Sequence, residues 1–489
     1  VNKYRSGYHA SANGQDEDVA ALSASERDDV AAPFGDQAQS QGSGKDEPRG
    51  APDSRPAEAS TVPSRSSARA VPVGSSARSR RRSADGRFEL LSVITQALSS
   101  HGATAEDLER RVKACAARLG ISAEIFAVPT AVIVTWRLGA EIRTEVIRTR
   151  SSAIDLEMLA RLDQVIRRVA AGEVDSDQAL IELRLIMAGK RRFPWFVRAL
   201  GAGAGAASLA VVLGGGQREA LAAAIVGFAV GLLVVAGSRV SSLERLIELL
   251  AGVTATALTL GLATVLPRFH LATVILSGLI TLLPGLAITN AVAELAARHL
   301  VAGSARLAGA AVTLFNLGFG VALAYAVFRH FKAVPPSATA VPLLGNLPTA
   351  LVVVALAIGL AVTMNAQVRD VFVVLGAVVI AVWGARLGAY AVGPTLGVSV
   401  ASLLVGLSSN LYARLSDRPA ALALAPGIAV LVPGALGFQG MSAFLRHATG
   451  SVQTLSSVLV IAVGIVVGLL IADATLPAAP RPPARETVG

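Results

Sequence analysis

A chain of 489 residues that is 53% apolar and 16% charged, with a mean hydropathy of +0.57, has too little charge to cover a water-soluble surface of its size. The charge is also uneven, with 28 Lys/Arg and 26 Asp/Glu in residues 1–194 but 16 and 8 in residues 195–489. A purely cytosolic enzyme, a disulfide-stapled secreted domain and a fibrous chain are excluded, the last two because Cys115 has no partner cysteine and no repeat is collagen-like.

The expected fold is a predominantly α membrane protein: about ten transmembrane helices arranged as two inverted five-helix repeats. A small α+β cytoplasmic domain and a disordered N-terminal tail precede them. The expected boundaries are a tail over 1–85, a soluble domain over 86–194, repeat one over 195–330, a linker over 331–348, repeat two over 349–475 and a disordered C-terminal tail over 476–489.

Residues 1–85 are poor in large apolar side chains and dense in Ala, Ser, Gly, Asp, Arg and Pro. Such a segment buries too little surface to offset its chain entropy. No apolar core follows the first charges, so no export signal is expected. The run RSRRRS (78–83) reads as a solvated basic linker that could touch anionic headgroups.

Helical periodicity begins at FELLSVITQALSS (88–100). Thr104 with Asp107 forms a loose capping box for a helix ending near Gly120. Cys115 shares a face of that helix with Leu108, Val112 and Leu119 and reads as a core residue. Three β-rich runs, 122–128, 130–138 and 141–148, predict an antiparallel meander. Helices over 155–171 and 176–188 follow, separated at Gly172.

Ten candidate spans begin after Lys190, Arg191 and Arg192: 196–213, 219–237, 243–265, 271–290, 305–328, 349–366, 370–387, 394–412, 421–444 and 453–472. Each is close to the ~20 residues a helix needs to cross the hydrocarbon. GAGAGAASLA (201–210) predicts tight helix contacts. Basic residues in alternate loops are nearly balanced. The basic flank before the first span therefore sets the expected orientation, with both termini cytoplasmic. The net charge of +10 sits largely at span ends in this half, which argues against nucleic acid as a partner.

The functional argument comes from a repeat. LLPGLAITNAVAEL (282–295) in the fourth span matches LVPGALGFQGMSAF (431–444) in the ninth. Pro284-Gly285 and Pro433-Gly434 are in register, and an amide, Asn290 or Gln439, lies six residues past each proline. Homologous halves of five spans each enter the membrane in opposite directions. A proline frees backbone groups that are tolerated at membrane depth only beside protein or a hydrated cavity. Paired broken spans point to a transporter's substrate site. The expected substrate-binding residues are Pro284, Gly285, Asn290, Pro433, Gly434 and Gln439.

Glu248 in the third span is the proton-coupling candidate, or an interfacial carboxylate if the helix begins near Leu246. Glu294 and Asp473 fall at span ends and read as interfacial, as do His270, His299, His330 and His447. Asn316, Asn410, Ser408 and Ser409 would line a pathway or bond neighbouring helices. No catalytic residues, metal ligands or cofactor motifs are expected: HExxH, P-loop and CxxC are missing, and the acid pair Glu244/Glu248 is a poor basis for an intramembrane enzyme.

These features resemble the bacterial threonine/serine exporters. The resemblance is carried by HGATAEDLERRVKACAARLGISAEIFAVPTAVIVTW (101–136), FPW (193–195), LGGGQRE (213–219), LLPGLAITNAVAEL with the loop GSARLAGA (303–310), and LVPG. It implies export of L-threonine, L-serine and other small amino acids across the cell membrane, driven by the proton-motive force. The implied partners are the amino-acid substrate and membrane lipid, with homo-oligomerisation left open. The rival reading is a membrane-anchored regulatory or ligand-sensing protein.

Overall fold

The computed structural model describes residues 73–149, 154–189, 191–266, 269–331, 349–393, 396–431 and 451–478. The expected linker 331–348 and C-terminal tail lie almost wholly outside these residues, and the N-terminal tail does so up to residue 72. Helix α1 spans Val73–Ser100. It thus begins ahead of the expected 88, and the basic run 78–83 belongs to its backbone.

α2 (Ala105–Arg118) is capped by Thr104, whose hydroxyl accepts from the Asp107 N–H at 3.4 Å. It ends at Gly120, which takes the left-handed conformation at φ +74°. Its apolar face buries Leu108, Val112 and Cys115. Burial pushes the Cys115 thiol up to about 11, partly countered by Arg111, so it stays protonated and inert. Burial opposes the charge on Arg111, but Asp107 and Asp163 outweigh it and raise its pKa.

β1 (Ser122–Val128), β2 (Ala131–Leu138) and β3 (Glu141–Arg148) form the predicted meander in the order β1-β2-β3, with Ile125 opposite Val134 and Val134 opposite Glu145. Val132, Val134 and Trp136 alternate inward onto α1, as a half-buried sheet requires. α3 (Leu156–Ala171) and α4 (Ser176–Met187) close the layer, with Gly172 at φ +75° between them.

The first membrane set comprises α5 (Trp195–Val212), α6 (Gln217–Gly237), the short α7 (Ser241–Glu244), α8 (Ile247–Val265), α9 (Leu271–Gly278), α10 (Gly285–Ala296) and α11 (Leu300–Phe331). The second comprises α12 (Thr349–Thr363), α13 (Val371–Val392), α14 (Gly397–Ser416), α15 (Ala421–Leu431) and α16 (Ser451–Thr475). GSARLAGA (303–310) is helical, inside α11, rather than a loop. Only three residues separate α10 from α11, with Arg298 at φ +65°, so the chain turns and restarts a helix at once.

Six described helices are long and apolar enough to cross a membrane, or seven if the α9–α10 pair, bent by 48°, is one span. Three shorter apolar helices begin at Thr349, Ala421 and Leu459. The chain is a mostly helical, multi-pass membrane protein.

The pairing of helices recurs. In the first set α5 packs on α6, α6 on α8 and α9, and α8 on α9 and α11. In the second, α12 packs on α13, α13 on α14 and α15, and α14 on α15 and α16. The sets meet where α5 crosses α12. There a Cβ on Gly359 would lie 2.6 Å from the Gly205 nitrogen, so only glycine permits the approach. Gly203 faces the other way, toward Ala224 and Phe228 of α6. The GAGAGA run is a two-sided contact surface.

Candidate functional site

The fourth span is broken where the sequence places its proline. α9 stops at Gly278, a 3-10 turn covers Ile280–Leu282, and Pro284 stands as the N-cap of α10. Proline has no N–H and no side-chain acceptor, and no side chain caps α10. Helix first turns carry unpaired N–H groups and a partial positive charge. Leu286 and Ala287, which supply that turn, line a cavity of about 830 Å³. Thr281, Pro284, Gly285 and Asn290 line it too. The structure thus brings three of the expected site residues to one wall.

The opposite walls come from both sets of helices and from the N-terminal α+β domain that α1–α4 and β1–β3 form. α5 contributes Ala202, α12 Leu360 and Thr363, and α15 Leu424 and Ile428. Thr104, Arg111 and Leu159 border the cavity from the N-terminal domain. The wall near the break is mostly apolar, and the charged residues gather toward the N-terminal domain.

Pro433, Gly434 and Gln439 lie outside the described residues. What is described of the ninth span holds another Pro-Gly pair, Pro426-Gly427, inside the continuous helix α15, seven residues before Pro433. At the same offset before Pro284 stand Ser277 and Gly278, where α9 ends. That register was readable from the paired motifs but needed the alignment extended toward the N-terminus.

Glu248 is half-buried in the first turn of α8, which begins at Ile247, and is not among the residues lining the cavity. Glu244 is exposed in α7. Ser408 and Ser409 both donate to the Val405 carbonyl of their own helix. Asp473 is exposed. His270 caps α9, its ring accepting from the Thr273 N–H at 3.3 Å.

The buried acids were the residues that sequence reasoning missed. Glu294, 2% exposed, pairs bidentately with Arg306 at 2.8 and 3.0 Å and accepts from the Ala105 N–H at 3.1 Å. It is therefore inside the protein, not interfacial. Glu219 accepts from the backbone N–H groups of Gly216 and His270, each at 2.9 Å. Asp370, 1% exposed, is held by Arg418, with one contact at 2.9 Å. Glu219 and Asp370 sit at the start of the second helix of their sets and tie it to the residues just before α9 and α15. Glu219 has a local partner in Gly216, three residues before it, but the ties to His270 and Arg418 span 51 and 48 residues, and no local spacing announces those.

Comparisons with known proteins agree with this architecture. The ThrE model for threonine/serine exporters matches residues 89–328, and a second, "Threonine/Serine exporter, ThrE", matches residues 349–475. An uncharacterized protein of Schizosaccharomyces pombe is 23% identical over 369 residues, covering 72% of this chain and 44% of that protein. Pheromone-regulated membrane protein 10 of Pichia sorbitophila is 25% identical over 367 residues, covering 72% and 36%. Its namesake in Saccharomyces cerevisiae (strain YJM789) is 25% identical over 363 residues, covering 72% and 47%. The chain spans less than half the length of these relatives. No solved structure matches it. With one exporter model covering the soluble domain and first helix set and the other covering the second set, the chain belongs to the threonine/serine exporter family.

Proposed function

We propose that this chain is a secondary active transporter that exports L-threonine, L-serine and other small amino acids, driven by the proton-motive force. The observation that carries the reading is the uncapped start of α10 opening onto a cavity inside a member of this family. In this reading a substrate carboxylate binds at the positive end of α10, and the Asn290 amide bonds its hydroxyl or ammonium group. Pro433, Gly434 and Gln439 are proposed as the counterpart from the ninth span.

The recurring helix pairing supports a duplicated five-helix unit. An odd helix count then makes the second copy inverted. The proposed setting is the cell membrane, with both termini cytoplasmic and residues 86–194 as a cytoplasmic domain. Glu248 is proposed as the coupling carboxylate, acting from the rim of α8 rather than from the cavity wall. The rival reading, a regulatory domain merely anchored by its spans, is disfavoured because the soluble domain and the membrane helices share one cavity wall.

The test is counterflow of labelled threonine in proteoliposomes. The expected outcome is uptake by the parent protein, a drop of about tenfold in Asn290→Ala, the scale of one lost substrate hydrogen bond, and loss of the pH-gradient-driven component in Glu248→Gln. Uptake by Asn290→Ala at the parent rate would remove the proposed site.

A further inference from the structure

Beside the cavity wall lies a joint that belongs to neither domain alone: Ala103, Thr104 and Arg306 line the wall, and Glu294 meets Ala105 next to them. Glu294 lies four residues beyond Asn290 on α10, so the two share a helix face. Its carboxylate takes three donors: two from Arg306 of α11 and one from the backbone N–H of Ala105. Ala105 is the first residue of α2 in the soluble domain. Arg306 also reaches the Ala103 carbonyl at 3.5 Å. A buried carboxylate is stable only with its hydrogen bonds made, and here one of them is supplied by the other domain.

The geometry points to Glu294 as a positioning residue. It latches α10, the half-helix on the substrate wall, to the N-terminus of α2, and release of this latch lets the cavity open toward the soluble domain. Two features make this joint the releasable one. Its polar contacts across the interface are one N–H to carboxylate bond and one long guanidinium to carbonyl contact, beside the small side chain of Ala302. When it parts, Glu294 keeps Arg306, so no unpaired charge is left behind. The break at Leu279–Pro284 leaves α10 without a continuous helix to hold it on the other side.

A single substitution isolates the latch. Proline at the first helical position costs a helix nothing, because that N–H has no partner within the helix. Thr104 at φ −70° and ψ 158° already has the backbone that a following proline demands. Ala105→Pro therefore deletes the donor to Glu294 and leaves α2 intact, while its ring Cδ takes the place of that hydrogen and pushes the carboxylate off the start of α2. Ala105→Ser keeps the N–H and serves as the control.

The measurement is the rate at which a membrane-impermeant methanethiosulfonate labels Asn290→Cys. It uses the full chain in nanodiscs with Cys115→Ser, which removes the only other thiol. Ala105→Pro is expected to label about tenfold faster than its parent, the factor set by one charge-assisted hydrogen bond. Ala105→Ser should match the parent. The charge swap Glu294→Arg with Arg306→Glu, which rebuilds the ion pair but cannot accept from Ala105, should label as fast as Ala105→Pro. Labelling of Ala105→Pro at the parent rate overturns the latch. If that variant does not fold, parent-rate labelling of the swap overturns it instead. The last step, opening for transport, rests on the exporter reading. Faster labelling of Ala105→Pro, with no threonine counterflow by the protein that keeps Asn290, would keep the latch and sink the exporter.

Discussion

Two of the contacts between the N-terminal α+β domain and the membrane helices are made by helix N-termini, and the two are built differently. At α3, the N–H groups of Leu156 and Glu157 donate to the carbonyls of Met364 and Asn365 at 2.9 and 3.2 Å. The start of one helix thus caps the end of another, so that unpaired donors and acceptors cancel and opposite dipole ends face each other. Asp155 caps α3 through Met158 and also accepts from the Asn365 amide at 2.8 Å. Leu156 and Ala160 are buried in the same apolar cluster as Leu356 and Leu360 of α12. At α2, by contrast, the membrane side contributes two side chains, Glu294 and the longer contact from Arg306, and one small core residue, Ala302. Apolar burial and paired backbone groups are lost together or not at all, whereas a lone hydrogen bond to a carboxylate can be exchanged for water. The α3 joint is an anchor to the second helix set. The α2 joint is a contact with the first that can let go.

The anchor is the place to break the comparison hardest. Leu156→Ala removes a fully buried side chain at the joint and is expected to cost about 3 kcal/mol, read as a lower unfolding temperature in detergent. An unchanged unfolding temperature would mean that the α3 joint carries no more than the α2 joint. Asn365 comes next. It ends α12 at φ +53°, and its amide bonds both Asp155 and the Arg192 N–H. Asn365→Ala loses both bonds and strains the backbone, at about 2 kcal/mol. Asn365→Gly loses the same bonds without the strain and should be milder by about 1 kcal/mol. Equal losses in the two variants would show that the side chain, not the left-handed turn, holds the anchor.

These joints also mark where the sequence stops being legible. The meander, the Thr104 cap, the Gly172 break and the interrupted fourth span all have local signals: alternation, a cap residue, a glycine that must turn left-handed, a proline that cannot continue a helix. Even the cavity wall at Pro284, Gly285 and Asn290 follows from such a signal. Glu294 and Arg306 carry none. Twelve residues apart, they become neighbours only because α10 and α11 fold back on each other at Arg298. Asp155 and Asn365 are 210 residues apart. Glu294 read as interfacial because hydropathy counts its own span and cannot count a domain docked over the span's end. GSARLAGA read as a loop because its small polar residues resemble one, although they pack inside α11.

The smallest expected effect is also the one that best separates the two joints. Thr104 caps α2 at the hydroxyl, and the next residue is the one that touches Glu294. Thr104→Ala should cost about 1 kcal/mol of stability. That loss is confined to α2, since Asp155 and Met158 cap α3 independently. Hydrogen exchange then offers a direct reading. Frayed N–H groups at Ala105–Leu108 should exchange faster, while those at Leu156–Leu159 stay as protected as in the parent. If fraying α2 also frees the start of α3, the two contacts are one cooperative interface, and neither can serve as a fixed point about which the other moves.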